Sequence, residues 1–209
     1  MRKPLPEFVD GEFYHVYNQG NNRDVTFQDE RDYHVFVAKL RYYLDEYMEV
    51  CSYCMMGNHY HLLVRVRDAA DVYKAALKDS MTNVKVSVHD IITERFRRFV
   101  LSYVVYVNHR HGRRGSLFAP KPQRKHVHDE RYLRHLVYYI NVNPELHGFT
   151  DDYTTYSFSS WHDLICGHTD WVPADAVAKW FGGIPAMVAY VEILRRGSDP
   201  LPGAPPAGP

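Results

Sequence analysis

The run GNHYHLLVRV, residues 57 to 66, sets two imidazoles one residue apart at the head of an apolar stretch. Side chains alternate across a strand, so in an extended run His59, His61, Leu63 and Arg65 share one face. Tyr60, Leu62, Val64 and Val66 share the other. The uniformly apolar face is the one that helices would cover, leaving both histidines on an open face. Imidazoles at i and i+2 suit chelation of one divalent ion or a grip on one phosphate. Two incidental polar residues on a solvated sheet would look the same, and the spacing alone leaves these readings open. Just upstream, Cys51 and Cys54 form a C-x-x-C pair of the kind zinc sites use. Their odd separation sends the two sulfurs to opposite sides of a regular strand, and only a bulge or break would make them converge.

A second group lies in YLRHLVYYINVNP, residues 132 to 144. Leu133, Leu136, Val137 and Ile140 fall in one apolar arc of a helix, which predicts that they face the core. Tyr139 and Asn143 are four residues apart and stack on one flank, joined by Tyr132, whereas Tyr138 projects toward Arg134 and Val142. A phenol beside a carboxamide could serve nucleophilic chemistry or simply pack at a helix edge.

These groups need elements to carry them. Aromatic and β-branched residues in 12–20 predict a strand closed by a turn at Gly20-Asn21-Asn22. Apolar positions from Tyr33 to Tyr47 recur at three and four, predicting a helix from Asp29 to about Tyr47. Residues 49–55 and 59–66 flank a Gly57-Asn58 turn as a hairpin. A short helix at 70–79 is compatible with the pattern, and 80–92 is ambiguous. A helix over 93–108 follows, then a basic strand or loop at 116–127. Asp129 caps a further helix that Pro144 should stop at about Asn143. A helix pair split at Gly182-Gly183 spans 174–195, and the proline- and glycine-rich tail reads as disordered. The order predicts an α+β fold: a small, mainly antiparallel sheet with helices packed mostly on one face, of ferredoxin-like flavour.

With 209 residues, 45% hydrophobic and 24% charged, the chain can bury a core without disulfide or metal staples. Three cysteines fit reduced thiols. No apolar run approaches the roughly 18 residues of a membrane span, and the N-terminus lacks a signal-peptide core. A cytoplasmic protein without a membrane partner is expected. Formal net charge is zero, yet no acidic residue occurs between Arg95 and His126, a window that holds nine lysines and arginines. Within it, Arg113, Arg114, Lys121, Arg124 and Lys125 lie in turn or extended segments and are the expected contacts to a nucleic-acid backbone. No G-x-x-x-x-G-K loop is present to cradle a nucleotide.

Taken together, FYHVYNQGNNRDVTF, MMGNHYHLLV, GRRGSLFAPKPQRKHV, YYINVNP and YSFSSW, in this order over residues 10 to 165, resemble the single-tyrosine HUH transposases. The long gap between histidines and tyrosine resembles the REP-associated tyrosine transposase branch. The resemblance implies an HUH domain over 1–165, a helical extension over 166–196 and a tail over 197–209. It implies that His59, His61 and Asn143 hold Mg²⁺ or Mn²⁺, and that Tyr139, rather than Tyr138, attacks single-stranded DNA at hairpins to form a 5′-phosphotyrosine link. Such a protein would be nucleoid-associated when bound to DNA. A domesticated hairpin-binding protein that no longer cleaves is the alternative; monomer and homodimer both remain open. The chain departs from the family at Gly57, where proline is usual, at Gln19 in place of arginine, and at Asn141 in place of histidine. These departures bear on target preference and loop geometry more than on chemistry.

Overall fold

The structure, a computed structural model, describes residues 4–79, 86–120, 122–167 and 171–197. Strand β1 (Phe13–Gln19) leads into helix α1 (Glu30–Leu44), the hairpin β2 (Met48–Met56) and β3 (His59–Val66), and helices α2 (Ala69–Lys78) and α3 (Val88–Arg110). Strand β4 (Gln123–Val127) closes a four-stranded sheet of order β2-β3-β1-β4, and every pairing is antiparallel. This is the split βαβ arrangement, an α+β fold as the sequence pattern predicts.

Alternation in β1 and β3 builds the two faces. Tyr14, Val16, Tyr60, Leu62 and Val64 are buried toward α1 and α3. Phe36 of α1 centres that layer, with ring centroids 5.0 Å from both Tyr60 and Phe99 and 4.9 Å from Tyr103. Helix α1 is capped by Asp29, which accepts from the Asp32 amide. Helix α3 begins at Val88, five residues before the expected start at 93. Ser87 and Asp90 form a capping box there, and Ile91 and Ile92 are buried in the first turn.

The opposite face is not open. Helix α4 (Glu130–Leu146) lies across β2 and β3, and His61 retains only 5% exposure. Pro144 does not end α4, which continues to Leu146. A proline this close to a C-terminus removes one intrahelical bond while the last turn still closes, with the His147 amide donating to the Asn143 carbonyl (3.0 Å). The extra turn carries the sheet-facing line of α4 from Tyr139 through Asn143 to His147.

Helices α5 (Trp161–Cys166), α6 (Ala174–Lys179) and α7 (Ile184–Gly197) follow, with Gly182 and Gly183 at positive φ between the last two. Helix α7 braces the far end of α4 through Arg195 Nε to Glu145 Oε1 (2.8 Å), and the Tyr153 hydroxyl donates to Glu192 (2.9 Å). Among the described residues no helix is long and apolar enough to cross a membrane. Lys121, the ambiguous segment 80–85 and residues 198–209 of the expected disordered tail lie outside the described residues.

Candidate active site

His59 and His61 project from β3 toward α4, with ring centroids 5.4 Å apart and planes almost perpendicular. Tyr139 descends from α4 to within 5.5 Å of the His61 ring, edge on. Asn143, one turn further, is fully buried, and neither polar atom of its carboxamide has a hydrogen-bond partner. His59, His61 and Tyr139 therefore meet, although they come from segments about 80 positions apart, and Asn143 lies one turn along α4 from Tyr139.

Two further histidines join them. His15 of β1 is completely buried, and its Nε2 lies 2.9 Å from His61 Nδ1. Its ring is 6.2 Å from that of Tyr139. His147, at the end of α4, sits 5.6 Å from His59, and its Nε2 is buried without a partner. The sequence carried a signal for each. His15 faces the same side of the sheet as Tyr17, and that side becomes visible only once β1 pairs with β3, setting Tyr17 opposite His61. His147 keeps the phase of Tyr139 and Asn143, but an expected stop at Pro144 hides it.

Burial decides the protonation of this cluster. It pushes His15 down to about 3, with Lys125 adding to the effect, and His59 down to about 4, with His147 adding to it. It lowers His61 well below the ordinary range and lowers His147 as well. The imidazoles are thus neutral near pH 7, and each keeps one ring lone pair. The Asn58 side-chain oxygen Oδ1 lies 2.6 Å from His59 Nδ1, so that nitrogen carries the proton and donates. This leaves the His59 Nε2 lone pair buried and unpartnered. Burial raises the Tyr139 phenol above its usual value, and the nearby Asn143 carboxamide opposes that rise.

Among the described residues no group of three or more His, Cys, Asp and Glu side chains is arranged to hold a metal. A cation here would rest on two imidazoles and an amide. The orphaned His59 Nε2 and Asn143 Oδ1 fit that role, because buried polar atoms without partners are rare and call for an explanation. The ring nitrogen of each β3 histidine that faces away, Nδ1, is held by a neighbour, a common second-sphere arrangement around metal-binding histidines. The C-x-x-C pair forms no such site. The β2–β3 register shifts between Val50 and Ser52, so Cys51 does sit at a bulge, yet both thiols are buried and burial raises their pKa.

Asn141, where the resembled family has histidine, ties α4 to β2 beside Tyr139. Its side chain donates to Ser52 Oγ (3.0 Å) and to the Val137 carbonyl (2.8 Å), while the Ser160 hydroxyl donates to its Oδ1 (2.9 Å). Ser160 Oγ also accepts from the Tyr53 amide (3.0 Å). This closed network pins α4 to β2 two residues from Tyr139, and all three polar side chains are buried.

The cationic residues separate. Lys125 lies on the site face, opposite His15 in the β1–β4 register. Arg124 points to the other face, where it donates to the Pro6 carbonyl and covers the Phe8 ring at 4.5 Å. Arg113 pairs with Asp24 at 3.6 Å, and Arg114 is exposed. Much of the acid-free window is neutralised from outside it: Arg95 pairs with Asp79, Arg97 and Arg98 with Glu94, and Arg110 with Asp29 and Asp32.

No protein-family model matches the chain, and no curated protein matches it. Among solved structures it is similar to a REP-associated tyrosine transposase bound to a REP hairpin, with a TM-score of 0.57 at 16% identity. The match covers 79% of this chain and 86% of that one. The two share a fold. At this identity the likeness is one of backbone architecture, and the case for chemistry rests on the residues above.

Proposed function

We propose that the chain is a metal-dependent endonuclease and strand transferase acting on single-stranded DNA at hairpins, with Tyr139 as nucleophile. The observation that carries this reading is the approach of Tyr139 to His61 and His59 between β3 and α4, with unpartnered buried polar atoms on His59 and on Asn143, one turn along α4. The shared fold supports a hairpin DNA substrate, since the solved transposase is bound to one.

A phenol near pKa 10 is ionised in about one molecule per thousand at pH 7, a handicap of roughly 4 kcal/mol, and the burial of Tyr139 adds to it. His59, His61 and Asn143 would hold a Mg²⁺ or Mn²⁺ ion, which when bound supplies Lewis-acid polarisation of the scissile phosphate and charge stabilisation on its oxygens. The helical phase keeps Tyr139 one turn from Asn143, so the attacking oxygen and the ligand amide move as one rigid unit. Attack forms the Tyr139 Oη–phosphorus bond and breaks the phosphorus–O3′ bond. The phenol proton passes to solvent, the leaving 3′ oxygen gains a proton, and a 5′-phosphotyrosine remains. One phosphodiester replaces another, so a 3′-hydroxyl can reverse the step without a nucleotide triphosphate.

The test incubates wild type, Tyr139→Phe and Tyr138→Phe with end-labelled hairpins bearing single-stranded arms and Mn²⁺, followed by a denaturing gel. A covalent adduct with wild type and Tyr138→Phe, absent from Tyr139→Phe and from chelator-treated samples, is expected. Tight hairpin binding with no adduct from any protein would instead support a hairpin-binding protein that does not cleave.

A further inference from the structure

Beside His59 a cleft of about 340 Å³ opens to solvent. Arg23, Val25, Gly57, His59, His147 and Phe149 line it. Its walls are built deliberately. The Gly57 carbonyl accepts from the amides of Thr26 (2.8 Å) and Phe27 (3.0 Å), so the hairpin turn holds the loop that follows β1. Asn58 spans both sides, donating to the Arg23 carbonyl while its oxygen holds the His59 ring. Asn22 and Arg23 both adopt positive φ, a conformation unusual outside glycine that delivers the Arg23 side chain to this rim.

The lining has a definite chemistry. Phe149 is 47% exposed and Val25 53%, so two apolar groups face water at one mouth. Phe149 is held by its amide, which donates to the Pro144 carbonyl (2.8 Å), and Gly148 at φ 70 turns the chain back. The ring lies over Gly57, where an added Cβ would already stand 3.4 Å from Phe149 Cε1. No partner engages the Arg23 guanidinium among the described residues, and His147 Nε2 is buried and unpartnered.

We infer that this cleft seats one unpaired nucleotide next to the scissile phosphate, its base stacked on Phe149 and its phosphate on Arg23. The inference rests on the proposed action on single-stranded DNA and identifies the part of that substrate which the cleft reads. An exposed aromatic face paired with a free guanidinium is the combination single-strand binding uses. The volume sits at the low end of the roughly 300–1,000 Å³ range of ligand sites, enough for one nucleotide and too small for a stacked run.

The test uses hairpin oligonucleotides with single-stranded arms that carry 2-aminopurine at one arm position at a time, and the same hairpins without arms. With wild type, quenching of the probe is expected at one arm position, because stacking on an aromatic ring quenches it. Phe149→Ala should abolish that quench and weaken binding of armed hairpins by about fivefold to a hundredfold, the usual range for one stacked base. Phe149→Tyr should restore both, and Arg23→Gln should lower the salt dependence of binding by about one phosphate contact. Phe149 is half exposed, so these variants should keep the wild-type circular dichroism. A quench and affinity unchanged in Phe149→Ala would overturn the inference while leaving hairpin recognition standing. Failure of wild type to bind any hairpin would overturn both.

Discussion

His15 touches no substrate in the proposed reaction, yet it should control how well the site takes a cation. Its Nε2 is the partner of His61 Nδ1 at 2.9 Å, and both rings are buried. For His61 Nε2 to offer a lone pair, His61 must carry its proton on Nδ1 and donate it to His15. His15→Ala deletes that acceptor. The buried Nδ1–H is then left unsatisfied at a cost of about 1–3 kcal/mol, or the ring adopts the tautomer that blinds Nε2. Loss of such an orienting partner typically weakens metal affinity 10- to 100-fold, about 1.4–2.7 kcal/mol. Mn²⁺ titration at pH 7.5, followed by calorimetry or by the free-ion paramagnetic resonance signal, should show that weakening in His15→Ala. His15→Gln, whose side-chain oxygen can accept the same bond, should recover part of it. His61→Ala should abolish binding altogether. Equal Mn²⁺ affinity in wild type and His15→Ala would refute the reasoning, because His61 would then need no orientation from β1.

Other consequences follow from the same geometry. In chelator at about pH 8 and above, the buried histidines are neutral in both folded and unfolded chains. As pH falls below 6.5 the unfolded chain takes up protons that folded His15 and His61 refuse, so stability drops by about 1.4 kcal/mol per pH unit for each. Urea denaturation between pH 6.5 and 5 measures this, and His15→Gln should flatten the slope. Ser160→Ala opens the buried Asn141–Ser52–Ser160 network and should cost about 1–3 kcal/mol in the same assay, with a larger proportional loss of adduct yield as α4 loosens over β2. Gly20→Ala would set a Cβ 2.0 Å from the Asp24 carbonyl oxygen. The turn after β1 must then shift, and a loss of about 2 kcal/mol or more is expected in thermal melts.

Much of this arrangement was legible in the linear chain because it depends on local periodicity. Strand alternation placed His59 and His61 on one face, and helical phase put Tyr139 and Asn143 on one flank, since both periods are properties of the backbone alone. The hairpin at Gly57-Asn58 and the capping by Asp129 follow from similarly local rules, whereas the sheet order rests on the pairing of β1 with the distant β3 and β4. Position in space is another matter. Arg124 and Lys125 are neighbours in sequence, but the pleat sends one to the Phe8 ring and the other to the His15 face. The acid-free window from Arg95 to His126 looks like one basic surface only until distant acids fold onto it. By itself, the sequence determined which side chains share a face within each element. Only the tertiary structure decided that α4 covers the histidine face, that His15 and His147 complete the cluster, and that the imidazoles are held neutral. Those outcomes depend on burial and on contacts between segments far apart in the chain, which no local period encodes.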